Sequence, residues 1–305
     1  MLSFFVRRLI VAIAVGITVS LISFALLRMS GDLALVLAGE GATEAEVAET
    51  ARLYGLDRSF AVQYLDWLAG AVRGDFGRSL FTNEPVLDMM LETVGVTALL
   101  AVLSLLFGLV IAIPLGVLAA VRAGGWVDQL ALGVAVFGKA VPNFWFALFL
   151  VFFFGVQLRW LPISGSQGWQ SYILPVIVMG TGVMPQLMRL TRGGMIDVLE
   201  ADFVRTAWAK GLSPGRVFFK HALRNAILPV VAVSAVSLGF LLGGSVIVES
   251  IFAINGIGAL AYESIRRVDF PVVQSILFFL SLIYIILTLI ADLINARLDP
   301  RIRLT

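Results

Sequence analysis

Apolar residues run along this chain in six long blocks, each bounded by polar stretches. A helix needs about 20 apolar residues to cross a bilayer. By that measure the blocks predict spans over 9–27, 93–120, 130–157, 172–190, 226–248 and 271–293. The polar remainder comprises a short N-terminus (1–8), a large segment (28–92), a turn near Arg122–Gln129, three internal loops (158–171, with Trp160 and Trp169 at interfacial depth, 191–225 and 249–270) and a tail (294–305). The pattern predicts an all-α integral membrane protein, a six-transmembrane-helix bundle. Hydrophobic residues make up 60% of the chain and charged ones 14%, with a mean hydropathy of +0.99. Both values lie far from those of soluble domains.

Within the blocks, small residues recur at spacings of four. Ala12, Gly16 and Ser20 form one such line, Gly108, Ala112, Gly116 and Ala120 a second, and Ala235, Gly239 and Gly243 a third. Such lines let helix backbones approach closely, and the third suits an approach between two subunits. Pro114 and Pro185 predict bends. The third block is interrupted by Lys139 and then by Pro142-Asn143, which predicts a bend with freed carbonyls. A lysine inside a span is costly. Lys139 either faces a solute path or gate, pairs structurally, or snorkels to the inner headgroups.

Two polar segments carry their own helical signals. In 28–92, Thr43 and Glu46 predict a capping box whose helix runs to about Tyr54 and stops at Gly55. A second helix follows, with Phe60, Tyr64, Trp67, Leu68 and Ala71 on one side, to lie on the outer leaflet or against the bundle. In 191–225, Ile196, Leu199, Phe203, Thr206 or Ala207 and Lys210 recur at helical spacing. Gly211 stops this helix, and Ser213-Pro214 starts another. Two short helices meeting at a glycine corner make a knob. It reads either as a docking element or as an ordinary basic loop that orients the spans.

Charge sets the orientation. Arg7, Arg8, Arg122, the seven basic residues between Arg189 and Arg224, and Arg297, Arg301 and Arg303 fall on one side, whereas 28–92 is rich in acids. The positive-inside rule then places both termini and the knob in the cytosol. The formal charge of +2 gives no footprint for nucleic acid. Cysteine is absent and His221 is the one histidine. The sequence therefore offers no disulfide framework and no soft-metal site. It contains no G-x-x-x-x-G-K-[ST] phosphate loop and no H-E-x-x-H pair. Gly256-x-Gly258 has no strand before it, so it is not a dinucleotide fingerprint. No catalytic residue is predicted, and any powered transport must draw its energy from another subunit.

The knob carries a resemblance. Arg205-Thr206-Ala207 followed by Gly211, within FVRTAWAKGL from Phe203 and then HALRNAILP from His221, resembles the EAA loop of ABC-importer membrane subunits. The longer string resembles the dipeptide, oligopeptide and nickel branch, which also includes glutathione carriers. Arg205 stands where the wider pattern has a glutamate, and the gap from Gly211 to Leu228-Pro229 is longer than in the sugar-type pattern. GLDRSFAVQYLDWLAGAVRGDFGRSL from Gly55, LRWLPISG from Leu158 and GSVIVESIFAINGIGAL from Gly244 resemble the same branch.

The resemblance implies the permease fold of type I ABC importers. It implies a second homologous permease, two P-loop ATPase subunits that bind ATP and Mg, and an external binding protein; this chain itself binds no cofactor. Arg205, Thr206, Ala207, Lys210, Gly211, Leu212 and Arg216 would couple to an ATPase, with Ala207 and Gly211 keeping the corner slim enough to enter a groove. Pro142, Asn143 and Glu249 would line the pathway or a gate, together with Lys139, which departs from the small polar residue common in the family near that point. The implied cargo is a di- or oligopeptide, or alternatively a nickel chelate or glutathione, and the implied location is a bacterial or archaeal plasma membrane. A stand-alone secondary transporter is disfavoured by the few ionisable groups in the spans. A channel is disfavoured by the lack of a filter. A non-transporting membrane scaffold would use the knob without passing solute.

Overall fold

The structure, a computed structural model, describes residues 2–29, 31, 33–39, 41–165 and 168–298. Arg301 and Arg303, counted above among the orienting charges, lie outside the described residues, as do Asp32, Glu40 and Asp299. The chain is all helical apart from one isolated bridge between Arg78 and Pro85 among the described residues. Four helices are long and apolar enough to cross a membrane: Val6–Met29, Val86–Val121, Trp169–Leu199 and Phe270–Ile294. Two bent pairs, Trp126–Ala140 with Asn143–Gln157 and Arg216–Ala226 with Leu228–Gly244, raise the number to six if each pair is one span.

The contacts divide the chain into two units, one of Leu2–Thr97 with Asn255–Ile285, the other of Ala98–Ile254 with the chain from Ile286 onward. In the first, α1 (Leu2–Met29) is followed by α2 (Leu33–Ala38), α3 (Glu44–Leu53) and α4 (Phe60–Val72). Helix α3 starts with the full capping box, Thr43 N–H donating to Glu46 Oε2 at 2.7 Å and Glu46 N–H to Thr43 Oγ1 at 3.4 Å. Gly55 follows its end at φ +66°. Helix α4 packs on the bundle: Phe24, Phe60, Tyr64, Trp67 and Phe278 form a connected aromatic cluster, and Tyr64 Oη lies 2.7 Å from Ser20 Oγ. Gly16 of the first small-residue line faces Ile285.

This unit also holds α13 (Ile257–Arg266), within the stretch expected to be an external loop. Gly256 caps it in an extended conformation, and Ile257 N–H donates to Thr97 Oγ1 at 2.9 Å. Asp269 is buried and accepts from Ser79 Oγ at 2.5 Å and Leu80 N–H at 3.2 Å, which ties the 77–85 turn down. Val86, Met90, Ile257, Val272 and Ile276 form one buried core cluster of this unit.

In the second unit α8 (Ile173–Leu199) is the hub. It meets α6 (Trp126–Ala140), α7 (Asn143–Leu150), α10 (Leu223–Ala226), α11 (Leu228–Gly244) and α12 (Val246–Ile251). The long α5 (Val86–Val121) packs on it through glycines. A Cβ on Gly116 would stand 2.7 Å from Thr191 Cβ and 2.8 Å from Met188 O; one on Gly180 would meet Ser104 O at 2.8 Å. At such positions only glycine fits.

Several helix limits differ from the sequence expectation. Helix α5 begins at Val86 rather than Thr93, and α8 continues to Leu199, well past Leu190. Polar side chains at a helix end do not by themselves stop a helix, and α8 continues even through Gly193-Gly194. The bend expected near Pro142 is a break, with α6 and the Asn143–Gln157 arm meeting at 97°. Proline lacks the N–H that would continue the ladder and pushes the residue before it out of the helical region; Val141 sits at ψ 123°. Pro229, in the first turn of α11, accompanies the 58° bend after Ala226. Ser245 separates α11 from α12.

Candidate functional site

The knob is a helical corner with its own core. Helix α8 ends at Leu199, Ala201 is extended at ψ 147°, and a new helix, α9 (Asp202–Ala209), begins. The expected single helix from Ile196 to Lys210 is therefore two, because the apolar spacing carries across the corner and hides it. Gly211 ends α9 at φ +71°, its N–H donating to Trp208 O at 2.9 Å. The chain turns helical again at Pro214 and passes through a π-helical stretch (Arg216–Ala222) into α10.

Beneath this corner, Val117 and Ala120 of α5, Met195 of α8, Val204 and Ala207 of α9, and Val217, Ala222 and Ala226 form one buried cluster. Leu212 and Phe218 pack on it. Ala207 is buried, so its small side chain serves the seating of α9 on the knob's own core; the slim-corner argument for it does not hold. A Cβ on Gly211 would meet open space within this chain, so glycine is required there by the left-handed backbone. Gly194 of α8, by contrast, is crowded, with a Cβ only 2.6 Å from Ala226 O.

The outer surface of the knob is mixed. Arg205, Thr206, Lys210 and Arg216 are exposed, and Arg205 reaches Asp202 at 3.4 Å in an exposed pair of little energetic weight. Phe203, Trp208 and Phe219 are also exposed, and Trp208 meets Phe218 edge-on at 5.7 Å. Large aromatics left on a surface among cations are the usual anchors of protein interfaces. A reading by charge alone passes over these three side chains; the signal for them is the run of aromatics inside an otherwise polar loop.

Arg192 does not join the knob's cations. It points from α8 to Asp128 in the first turn of α6, Nε and Nη2 each donating at 2.7 Å, while Gly124 N–H donates to the same carboxylate at 2.9 Å. The Asp128 side chain is 4% exposed. A buried, bidentate pair of this kind fixes one helix against another.

From that clamp α6 runs antiparallel along α8. At its far end a Cβ on Gly138 would lie 3.1 Å from Thr181 O and 3.3 Å from Pro185 Cγ. Lys139, Pro142 and Asn143 are exposed at the break, and the Asn143 amide lies against Gly182. Glu249, the remaining expected pathway residue, is fully buried in α12 and away from any open surface. Of the third small-residue line, Gly239 is buried and Gly243 is exposed to open space. No group of three or more metal-ligating side chains exists among the described residues.

Known proteins agree with one another about this chain. Residues 112–304 match the family described as the binding-protein-dependent transport system inner membrane component, and residues 1–101 match its N-terminal region. A probable peptide ABC transporter permease protein, y4tP, of Sinorhizobium fredii (strain NBRC 101917 / NGR234) is 38% identical over 98% of this chain and 99% of its own length. The glutathione transport system permease protein GsiC of Escherichia coli (strain K12) is 38% identical over 99% of both. Among solved structures, an inward-facing MetNI methionine ABC transporter superposes with a TM-score of 0.59 at 19% identity, covering 71% of this chain and 99% of the other. An amino acid ABC transporter with histidines gives 0.52 at 13% identity over 69% and 94%. These two likenesses concern the fold.

Proposed function

The chain belongs to the family of binding-protein-dependent transport system inner membrane components, and from that premise we propose that it forms half of an ATP-driven import path for short peptides. Glutathione, itself a tripeptide, is the first probe to try, because relatives named for peptides and for glutathione are equally similar to it. The family's architecture implies a paired permease, ATPase subunits and a binding protein; the cytosolic knob of this chain docks on one ATPase.

The observation that carries the reading is the shared core of the knob. Because α9 is seated on the ends of α5 and α8 through Val117, Met195, Val204 and Ala207, a push on the knob moves those helices with it. The Arg192–Asp128 clamp passes the movement to α6, at whose far end the helix breaks. ATP binding draws the ATPases together and opens the path outward; hydrolysis resets it. The basic clusters at the knob and the N-terminus support a cytosolic position for these parts.

The test is uptake into proteoliposomes holding the complex assembled from this chain and its partner subunits. ATP-dependent accumulation of labelled glutathione or a dipeptide, requiring the binding protein, is the expected result. Uptake that proceeds without ATP would instead mark a secondary transporter.

A further inference from the structure

We propose that Lys139, with Asn143 across the helix break, is a carboxylate-recognising point in the translocation path that favours solutes with a free carboxylate, such as the C-terminus of an unmodified peptide. This inference rests on the import reading above.

The depth of Lys139 comes from two contacts between α6 and α8. Asp128 pairs with Arg192, and Gly138 packs on Thr181 and Pro185. Lys139 lies eleven residues along α6 from Asp128, and Thr181 lies eleven residues along α8 from Arg192. At about 1.5 Å per residue both distances come to about 16 Å. The basic residues gathered at the clamp's end of the two helices (Arg122, Arg189 and those of the knob) put the clamp at the cytosolic boundary by the positive-inside rule, and with a bilayer core about 30 Å thick Lys139 then falls near the midplane. A stem of four methylenes is too short to bring the ammonium back to the headgroups, which removes the snorkelling reading.

The surroundings of Lys139 narrow its role further. It is exposed and makes no ion pair among the described residues. The nearest acid along α6, Asp128, is already held by Arg192. An ammonium facing lipid at this depth is costly. The helix itself is interrupted here, with Pro142 and Asn143 exposed. Broken backbone at membrane depth persists only inside protein or along a water-filled cavity. An exposed, unpaired cation four residues before an exposed asparagine, at the break of a helix, fits an anion that arrives and leaves. For a peptide that anion is a carboxylate.

The experiment compares uptake of labelled trialanine and its C-terminal amide by the reconstituted complex, each normalised to occupancy of the binding protein. The wild type is expected to prefer the free acid. Lys139→Gln is expected to reduce that preference by roughly tenfold, as loss of one charge-assisted hydrogen bond would. Lys139→Arg should retain most of it. An unchanged acid-to-amide ratio in Lys139→Gln overturns the proposal while leaving the import reading intact. Failure of Lys139→Gln to co-purify with the second permease also overturns it, since the lysine would then serve assembly. If the wild-type complex moves neither probe with ATP, the peptide-import reading falls and this proposal with it.

Discussion

Arg192 grips Asp128 through two parallel hydrogen bonds of 2.7 Å, although the residues lie 64 positions apart in the chain. Each sits in a segment that sequence patterning assigns to polar loops, yet together they lock the start of α6 to α8. Removing Arg192 leaves a buried, uncompensated carboxylate, at a typical cost of about 3–5 kcal/mol, whereas the Arg192 side chain is 26% exposed and its loss of Asp128 should cost less. Asp128→Ala and Arg192→Ala should each lower the melting temperature of the detergent-solubilised subunit, Arg192→Ala by more. The double replacement should cost less than the sum of the two, and strict additivity would show that the clamp carries no coupling energy.

Glycine contacts give a graded prediction. Gly194→Ala and Gly116→Ala each place a methyl within 2.8 Å of backbone that cannot move aside. Each should destabilise the subunit by about 1–3 kcal/mol, the usual cost of overpacking. Gly243→Ala meets open space and should leave the melting temperature unchanged. Equal effects at all three positions would contradict the packing described.

Gly211 is constrained by its backbone, since nothing crowds a side chain there. Gly211→Val should cost about 1–2 kcal/mol for a non-glycine residue in the left-handed region. Gly211→Asn should cost less, because asparagine tolerates that region. Circular dichroism melts should rank them wild type, then Asn, then Val.

Trp208 and Phe219 protrude from the knob, and their replacement removes no part of its core. Trp208→Ala and Phe219→Ala should weaken co-purification with the ATPase subunit while the melting temperature changes little. Loss of stability with normal ATPase binding would reverse the assignment.

The capping box of α3 makes a local pH prediction. The hydrogen bonds from Thr43 hold the Glu46 carboxyl below its ordinary value. A lowered folded value means the carboxylate's contribution is complete above the usual glutamate range and is lost as pH falls through the folded value. Amide exchange across Glu44–Leu53 should therefore accelerate, relative to Glu46→Gln, as the solution is acidified.

What the sequence reveals follows the range of the interaction. The capping box and Gly55 stop are legible because they join residues a few positions apart. The Arg192–Asp128 clamp is invisible to local reading, and there Arg192 looks like one more loop cation. The corner at Ala201 is hidden because the apolar spacing from Ile196 to Lys210 runs unbroken across it. Ala207 is misleading for a related reason: a small residue in a polar loop suits a thin exposed edge as well as a tight interior, and only packing against Val217 and Val204 decides. Lys139 is legible as an anomaly, but its depth requires the register of α6 on α8.

The absence of cysteine from the chain makes one measurement direct. A single cysteine introduced by Arg205→Cys on the outer face of the knob, in the complex purified with its ATPase subunits, is treated with a short bifunctional crosslinker. The account predicts a covalent product with an ATPase subunit whose yield changes between ATP-bound and nucleotide-free states, and none from Phe81→Cys in the 77–85 turn. A complex that holds its ATPases yet gives no product from Arg205→Cys, or gives it equally from Phe81→Cys, would contradict the knob as the coupling element.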